Sequence, residues 1–363
     1  MSTPGCRTKG VGGKGSPVAG DGWNNGGGEH HNCMAGAAVS RPIRPWSRDK
    51  LDLLGKYLQA YTRIMHRQPW LKRSSFIDAF AGAGQYFDPE VDEYVDGSPL
   101  VALDCEPPFD EFWFIDLSSA RIAELQNHAD TRGRSDIHFH TGDANRFLTR
   151  DVALTITYDS YRRGFVFVDP YGLQVDWATI EVLTATKALD LFINFPVMGV
   201  NRLLPRDEAP DPTSSGRLKL LFKDTEWVES LYLHVADLFG DVRAMRDRLD
   251  AQRLADRYIA DVRSLFPYTS RPVIMRNSVN APLYALFLAS HNANAAKITD
   301  SIFDKYTREA AARPPRPRRT PTPGCFENGC PGADTTTRSC YRTQSLSGHP
   351  QNRGLTFSHA RAV

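Results

Sequence analysis

The stretch Asp169-Pro170-Tyr171-Gly172 places a carboxylate and an aromatic ring at a turn that directly follows an apolar run. A charge buried at the end of a core strand is costly unless it is partnered or used in chemistry. The Asp169 carboxylate and the Pro170 carbonyl can both accept hydrogen bonds from an amino group, and the proline ring restricts the turn that holds this carbonyl. Tyr171 can stack on a planar base.

This tetrad therefore predicts a site that orients an amine attached to a flat ring, with a rate gain that comes mostly from positioning. The alternative is a structural turn, because Asp, Pro and Gly are all common turn residues.

A second turn, Asp78-Ala79-Phe80-Ala81-Gly82-Ala83-Gly84, follows an earlier apolar run. Gly82 and Gly84 let the backbone approach a ligand closely, and Asp78 and Phe80 precede them. The third glycine of the dinucleotide fingerprint and the Gly-Lys-Ser/Thr of a P-loop are missing. A loop without a phosphate cradle suits a ligand such as S-adenosylmethionine and disfavours a nicotinamide enzyme. A tight turn in another kind of α/β protein is the alternative.

Two further acidic residues end apolar runs. Asp116 can accept hydrogen bonds from both hydroxyls of a ribose, or it can cap the following helix in competition with Ser118 and Ser119. Asp143 can accept from an adenine amino group while the Ala144 backbone N–H donates to a ring nitrogen. Acidic residues at three successive strand ends predict a cofactor cleft more strongly than any one of them alone.

Asn201 and Arg202 follow the fifth apolar run of the chain. They can form a wall of the target pocket and contact a base or a phosphate. A solvated polar loop is an equally good interpretation of these two residues.

Apolar runs that alternate with helical periodicity predict an α/β fold with a mostly parallel sheet and right-handed crossovers. Residues Leu51 to Met65 show the spacing of an amphipathic helix. Two later runs, Pro272–Arg276 and Leu283–Ala289, predict an antiparallel hairpin at the sheet edge. The predicted parallel strands are Phe76–Phe80, Phe112–Ile115, Ile137–His140, Gly164–Val168 and Leu189–Phe195.

The composition divides the chain into a core and two tails. Residues 1–45 are Gly-rich and residues 307–363 are rich in Arg and Pro, and both lack apolar periodicity, which predicts disorder. The core is predicted to span 46–306, with a helical insertion around 205–266. The second tail carries nine Arg against three acidic residues, whereas the whole chain has a net charge of +2. The core is therefore net acidic, so no basic surface over the site is evident from the sequence.

The hydrophobic fraction of 41% and the charged fraction of 24% are those of a globular protein. No apolar run is long enough to cross a bilayer, and the N-terminus lacks the apolar segment of a secretory signal, which predicts a cytoplasmic location. Cys325, Cys330 and Cys340 supply three thiols where structural zinc requires four ligands. We therefore predict reduced thiols and no metal.

Taken together, these motifs resemble those of class I S-adenosylmethionine-dependent methyltransferases. The tetrad at Asp169 is close to the Asp-Pro-Pro-Tyr of amino-methyltransferases and to the Asp-Pro-Phe-Gly of tRNA guanine-N2 dimethyltransferases. More narrowly, residues 46–306 resemble the three-Cys-motif partner protein family, TcmP. The stretches that carry this narrower resemblance are Trp46–Leu51, Phe76–Gly82, Gly97–Leu100, Asp169–Trp177, Met198–Arg202 and Arg276–Ser278.

The resemblance implies a Rossmann-like sheet, S-adenosylmethionine as cofactor, and transfer of a methyl group to an exocyclic amine of a nucleobase in RNA or DNA. It also implies a phage-type partner protein that carries the three-cysteine motif. Asp169, Pro170 and Tyr171 would then be catalytic. An alternative is a non-catalytic partner protein that keeps the fold and works through protein-protein contacts. The residues that would bind the cofactor are Asp78, Phe80, Gly82, Gly84, Asp116, Asp143 and Ala144.

Overall fold

The structure of the protein is a computed structural model that describes residues 43–89, 91–130, 133–236, 242–246 and 251–312. All of these residues belong to one compact unit, Met1–Pro314. The tails predicted at 1–45 and 307–363, including Cys325, Cys330 and Cys340, lie almost entirely outside the described residues. The exceptions are the start of the first helix and the last turns of the final helix, which continues to Ala312.

The helices of the described ranges are α1 (Pro45–Met65), α2 (Ser98–Leu103), α3 (Ser119–Asp130), α4 (Ala144–Phe147), α5 (Ala153–Thr155), α6 (Trp177–Ala185), α7 (Val197–Arg202), α8 (Pro212–Leu221), α9 (Glu226–Glu229), α10 (Ala251–Arg263) and α11 (Ala293–Ala312). A π-helical turn, Leu148–Val152, joins α4 to α5.

The strands are β1 (Arg73–Asp78), β2 (Gln85–Asp88), β3 (Glu93–Asp96), β4 (Glu111–Asp116), β5 (Ile137–Thr141), β6 (Arg162–Val168), β7 (Leu189–Phe195), β8 (Tyr232–Ala236), β9 (Val242–Arg246), β10 (Tyr268–Thr269), β11 (Val273–Arg276) and β12 (Pro282–Ser290).

The main sheet has the strand order β5-β4-β1-β6-β7-β12-β10, and β11 also pairs with β12. The strands from β5 to β7 run parallel, whereas β12 is antiparallel to β7 and to β11. This confirms the predicted Rossmann-like α/β fold, a mostly parallel sheet with a C-terminal antiparallel hairpin. The order reverses at β1, which lies between β4 and β6, and ligands of open α/β sheets bind beyond the carboxyl ends of strands at such a switch point.

Side chains alternate between two buried faces of this sheet. On one face Phe165 stacks on Tyr57 of α1, with ring centroids 5.3 Å apart, and Phe303 of α11 packs in the same cluster. On the other face Val166 and Ile193 pack with the helices α6, α7 and α10. Burial of both faces explains why the strands read as continuous apolar runs in the sequence.

A short antiparallel hairpin, β2–β3, lies between the glycine turn after β1 and the helix α2. The helix that follows the first strand of the sheet therefore begins only at Ser98, and Pro99 lies in its first turn. The sequence patterns above did not predict this hairpin, because its strands have only four residues each.

The segment predicted as a helical insertion around 205–266 contains α8, α9 and α10, and it also contains the two-stranded hairpin β8–β9. The Arg246 guanidinium at the end of β9 donates to the Leu204 and Pro205 carbonyls, with Nε–O distances of 3.0 and 3.1 Å. These bonds tie the hairpin to the chain just after α7. Within the described part of the chain, no helix is long and apolar enough to span a membrane.

Candidate functional site

The carboxyl ends of β1, β4 and β6 bring together three of the predicted acidic residues. Asp78 ends β1, where it pairs in register with Phe114 of β4 and with Phe167 of β6. Asp116 and Asp169 each lie two residues further along those neighbouring strands. Because adjacent parallel strands are about 5 Å apart, the three carboxylates surround one end of the sheet.

Asp78 is fully buried. Its Oδ1 accepts from the Phe80 N–H at 3.0 Å, and the neighbouring Ser98 side chain offsets part of the effect of burial on its pKa. Its Oδ2 has no hydrogen-bond partner among the described residues. Burial raises the pKa of Asp78 to about 7, and the nearby Asp169 carboxylate adds to this effect. A buried acceptor without a donor indicates a place where a ligand can bind.

The glycine turn after β1 is shaped for close contact, but in this structure the contact is made by the protein itself. Gly82 has a φ of +67°, a conformation that favours glycine. A Cβ at Gly82 would overlap the Tyr86 hydroxyl. A Cβ at Gly97 would lie 2.7 Å from Tyr86 Cε2 and 2.9 Å from the Gly84 carbonyl oxygen. Of the two glycines that were predicted to admit a ligand, Gly82 therefore accommodates the Tyr86 side chain, whereas a Cβ at Gly84 would meet Leu125 of α3.

Tyr86 lies on β2 and is a residue that the sequence patterns did not single out. Burial raises the pKa of its hydroxyl, and the charges of Asp78, Asp169 and Asp116 raise it further. The phenol therefore lies within electrostatic range of all three carboxylates. An aromatic residue two positions after Gly84 was the signal available in the sequence.

Asp116 uses both of its carboxylate oxygens to hold neighbouring loops. Its Oδ2 accepts from the Gly82 N–H at 3.1 Å, and its Oδ1 accepts from the Ser118 N–H at 2.8 Å. Arg121 forms an ion pair with the same Oδ1 at 3.3 Å. The capping alternative and the ligand alternative are compatible here, because each carboxylate oxygen has two lone pairs.

Asp143 is one strand further from the centre of the site. It is exposed and is the N-cap of α4, where its Oδ1 accepts from the Arg146 N–H at 2.9 Å. Ala144 is buried beside it. The next residue, Asn145, links this loop to the one after β6, because its Nδ2 donates to the Gln174 carbonyl at 2.7 Å.

Asp169 is held by two residues that the sequence did not identify as part of the site. The Lys50 ammonium from α1 forms an ion pair with Oδ2, and the Asn194 side-chain amide from β7 donates to Oδ1 at 2.7 Å. Lys50 is separated from Asp169 by 119 positions in the chain. Its neighbour Asp49 accepts from the Tyr306 hydroxyl of α11 at 3.0 Å, which fixes the start of α1.

Asn194 is fully buried, and its Oδ1 has no partner in the described part of the protein. With Pro170 and Gly172 it lines a narrow cleft between the loops after β6 and β7. The cavity volume there is about 10 Å³, close to the minimum that holds one water molecule. The residues that line this cleft do not include Asp169, Tyr171 or Lys50.

The mouth of the site carries two tyrosines. Tyr171 is 83% exposed. Tyr284 of β12 is half-buried, and its pKa is raised by burial first and then by the charges of Asp169 and Tyr171, whereas Arg202 lowers it. Tyr284 is therefore a further residue of this edge, and it comes from the antiparallel strand rather than from a strand-end turn.

The two weakly predicted residues of the target pocket differ in their surroundings. The Asn201 Oδ1 accepts from the Arg246 guanidinium at 3.1 Å, so its side chain helps to hold the β8–β9 hairpin. Arg202 is exposed at the end of α7, within electrostatic range of Tyr284.

The described residues include no cluster of three or more His, Cys, Asp or Glu that could hold a metal ion.

No family model matches this chain, and no curated protein matches it. Solved structures with remote similarity include the N-terminal domain of EvdMO1 with SAH bound, at 10% identity over 66% of this chain and 81% of that chain, with a TM-score of 0.34. The putative methyltransferase yhhF from Escherichia coli is 13% identical over 65% of this chain and 87% of its own, with a TM-score of 0.28. TYW2 from M. jannaschii in complex with AdoMet is 9% identical over 68% of this chain and 76% of its own, with a TM-score of 0.31. Similarity at this level transfers neither a ligand nor an activity to this chain.

Proposed function

We propose that this protein is an S-adenosylmethionine-dependent methyltransferase that acts on an exocyclic amine of a nucleobase in RNA or DNA, and that it works with a three-Cys-motif partner protein. The proposal of a TcmP family member and of that partner depends on the sequence resemblance alone. The chemistry depends on the residues at the carboxyl edge of the sheet.

The observation that carries the proposal is the set of acceptors around Asp169. The Asp169 carboxylate, the Pro170 carbonyl and the Asn194 Oδ1 belong to the ends of two adjacent strands, β6 and β7. The last of these acceptors is buried without a donor among the residues that the structure describes. An exocyclic NH₂ group brings two N–H donors. It is therefore the kind of group that would satisfy neighbouring acceptors of this type.

The residues act on such an amine by orienting it. Asp169 and Pro170 accept its two N–H bonds, which favours a tetrahedral nitrogen whose lone pair points away from the ring system. Lys50 and Asn194 hold the Asp169 side chain in one position while it does so. Once the nitrogen has formed its new bond it must lose a proton, and the Asp169 carboxylate is the base placed to accept it. Tyr171 offers an exposed ring for stacking on an unstacked base.

The residues of the β1 and β4 ends fit S-adenosylmethionine, whose sulfonium would supply an electrophilic methyl group and leave as a neutral thioether when the methyl–sulfur bond breaks. The ligand is cationic at sulfur, and the Asp116 carboxylate and the Asp78 carboxyl group lie at the edge where it would bind. The unpartnered Asp78 Oδ2 can accept from a ligand N–H or O–H. The other residues of this proposed site are Phe80, Gly82, Gly84, Asp143 and Ala144.

Methyl transfer from labelled S-adenosylmethionine to pooled RNA and DNA, with and without the three-Cys partner, tests the function. We expect Asp169→Ala to lower the rate at least 100-fold, because it removes both the acceptor and the base, and to leave the affinity for S-adenosylmethionine within about threefold by calorimetry. Asp52→Ala, which removes an exposed carboxylate of α1 outside the site, is the matched control. Transfer by Asp169→Ala at the wild-type rate would refute the catalytic role.

A second candidate function is a non-catalytic partner protein that keeps the fold. The Tyr86 side chain favours it, because its hydroxyl occupies the space over Gly82 in the predicted cofactor turn. Binding of S-adenosylmethionine with no transfer to any nucleic acid, in the presence and absence of the three-Cys partner, would support this second function. Transfer under either condition would exclude it.

A further inference from the structure

The opposite edge of the sheet, where β1 and β6 begin, carries a second concentration of functional groups. We call it the basic-aromatic patch and define it by Trp70, Lys72, Tyr158, Tyr161 and Arg163. The three aromatic rings are 42%, 57% and 50% exposed in that order. Large exposed rings grouped at one place are a recognised mark of a binding surface.

Strand pairing brings the cations of the patch together. In the parallel register of β1 and β6, Arg73 lies opposite Arg162, and the Lys72 N–H donates to the Tyr161 carbonyl at 2.9 Å. Both central strands therefore begin with a pair of basic residues. Glu111 of β4 is buried and forms ion pairs with Arg73 and Arg162, which leaves the other member of each pair for the patch.

These remaining cations lie over aromatic rings rather than beside carboxylates. The Arg163 guanidinium is 4.6 Å from the centroid of Trp70 and 4.4 Å from that of Tyr158. The Lys72 ammonium is 5.2 Å from the centroid of Tyr161. Neither cation forms an ion pair with a carboxylate of the described residues. The patch thus presents flat rings and two cations, while the nearest carboxylates are Asp110, which lines the pocket beside Lys72, and buried Asp190, which interacts electrostatically with Arg163.

A polar pocket of about 120 Å³ adjoins the patch and shares Lys72 with it. His66, Gln68, Ser74 and Asp110 also line it. The Trp70 indole N–H donates to the Gln68 side-chain oxygen at 3.2 Å, which connects the exposed ring to the pocket. Hydrogen-bonding groups next to stacking surfaces suit a ligand that has polar edges and flat faces.

We propose that the basic-aromatic patch binds single-stranded nucleic acid. Stacking on aromatic rings and attraction to a phosphate backbone are the two interactions that such ligands use, and the patch supplies both. A duplex fits less well, because its bases are already stacked and cannot lie on Trp70 or Tyr158. An acidic peptide would use the charges of the patch but leave the exposed rings unused.

The helix α1 relates the patch to the proposed active site. Lys50 near its start contacts Asp169, and His66 directly after its end lines the pocket. Sixteen helical residues at 1.5 Å each separate them by about 24 Å. A single strand of roughly ten nucleotides can span that distance, since sites for such strands cover roughly 4–16 nucleotides. The role of the patch in guiding a substrate rests on the proposed function, whereas binding by the patch does not.

Fluorescence anisotropy of a labelled 15-nucleotide single strand, as RNA and as DNA, tests the proposal with the full chain. We expect the double variant Trp70→Ala/Tyr158→Ala to bind at least about tenfold more weakly, since base–aromatic stacking is worth ~1–3 kcal/mol per base. Lys72→Glu should weaken binding and reduce its salt dependence. Tyr268→Ala, which removes an equally exposed ring from β10, should leave binding within about twofold of wild type.

Thermal unfolding of each variant shows whether the fold is intact. If the double variant does not fold, Lys72→Glu still tests the patch, because Lys72 is exposed and its replacement removes no packed side chain. Equal affinity of wild type and the folded patch variants for the single strand would overturn the proposal. So would equal or tighter binding of a matched duplex or of a poly-glutamate peptide. Patch-dependent binding without any methyl transfer would contradict the proposed function and leave the patch established. Binding that is lost in Asp169→Ala but kept in the patch variants would contradict the proposal for the patch and support nucleic-acid binding at the proposed active site.

Discussion

Replacement of Asp78 by Asn should remove a pH dependence of stability that originates in the burial of this carboxyl group. Burial raises the folded-state pKa of Asp78 to about 7, whereas an unfolded chain has a value of about 3.9. Between these values the folded protein keeps a proton that the unfolded chain has lost. Stability therefore falls as the pH rises through this window, because ionisation is easier in the unfolded state.

The magnitude follows from the two pKa values. Each tenfold difference in proton affinity is worth about 1.4 kcal/mol, so the ionised Asp78 costs the folded state ~4 kcal/mol at pH 8 relative to pH 4. Of this cost, ~1.4 kcal/mol is expected between pH 6 and pH 8. Asn has no such titration, so the variant should gain stability relative to wild type by these amounts as the pH rises.

Urea unfolding of wild type and Asp78→Asn at intervals from pH 4.5 to pH 8 measures the effect as a difference, which cancels the other titrating groups. Asp190→Asn is the matched control, because burial raises the pKa of Asp190 to about 6. Its difference from wild type should change by only ~0.4 kcal/mol between pH 6 and pH 8. A difference between Asp78→Asn and wild type that stays constant across the whole range would refute the assignment of Asp78 as a buried carboxyl group that is protonated near neutral pH.

Three further outcomes are expected. Lys50→Ala should lower the rate of methyl transfer about tenfold or more, because Asp169 loses its ion pair, and the affinity for S-adenosylmethionine should stay unchanged. An equal loss of rate in Asp52→Ala would contradict this prediction. Tyr86→Ala should bind S-adenosylmethionine about fivefold more tightly in calorimetry, since the ring fills the space over the glycine turn, and weaker binding would show that Tyr86 contacts the ligand instead. Gly97→Ala should destabilise the protein by ~1–3 kcal/mol in thermal or urea unfolding, because a Cβ would lie 2.7 Å from the Tyr86 ring; wild-type stability would show that the ring moves freely.

Much of the fold could be predicted because its determinants are local. The apolar runs from Phe76 to Phe195 became strands of one sheet, and the two runs after Pro272 became β11 and β12. A parallel strand that is buried on both faces has a continuous apolar sequence, so its existence and type can be recognised directly. The short hairpins β2–β3 and β8–β9 were missed because strands of four or five residues leave little periodicity.

The sequence predicted the strand-end residues of the candidate site but not their partners. Asp78, Asp116 and Asp169 were recognisable because each directly ends an apolar run, and parallel strands bring their carboxyl ends to one edge. Lys50, Asn194 and the other partners carry no such mark. Asn194 is one polar residue inside a buried strand, and Lys50 is one of several cations on an amphipathic helix.

The sequence by itself therefore determined which side chains end the central strands, because a buried strand is recognised from a local run of apolar residues and the residue that ends the run is known. Only the tertiary structure decided what those side chains meet. Packing of α1 across the sheet delivers Lys50 to Asp169 over 119 positions, and the β2–β3 hairpin turns the Tyr86 ring onto the glycine turn. Lys72 and Arg163 share one edge because β1 and β6 are neighbours. The contacts of Lys50 and Lys72 depend on the packing of elements that are distant in the chain, which the spacing of residues does not record.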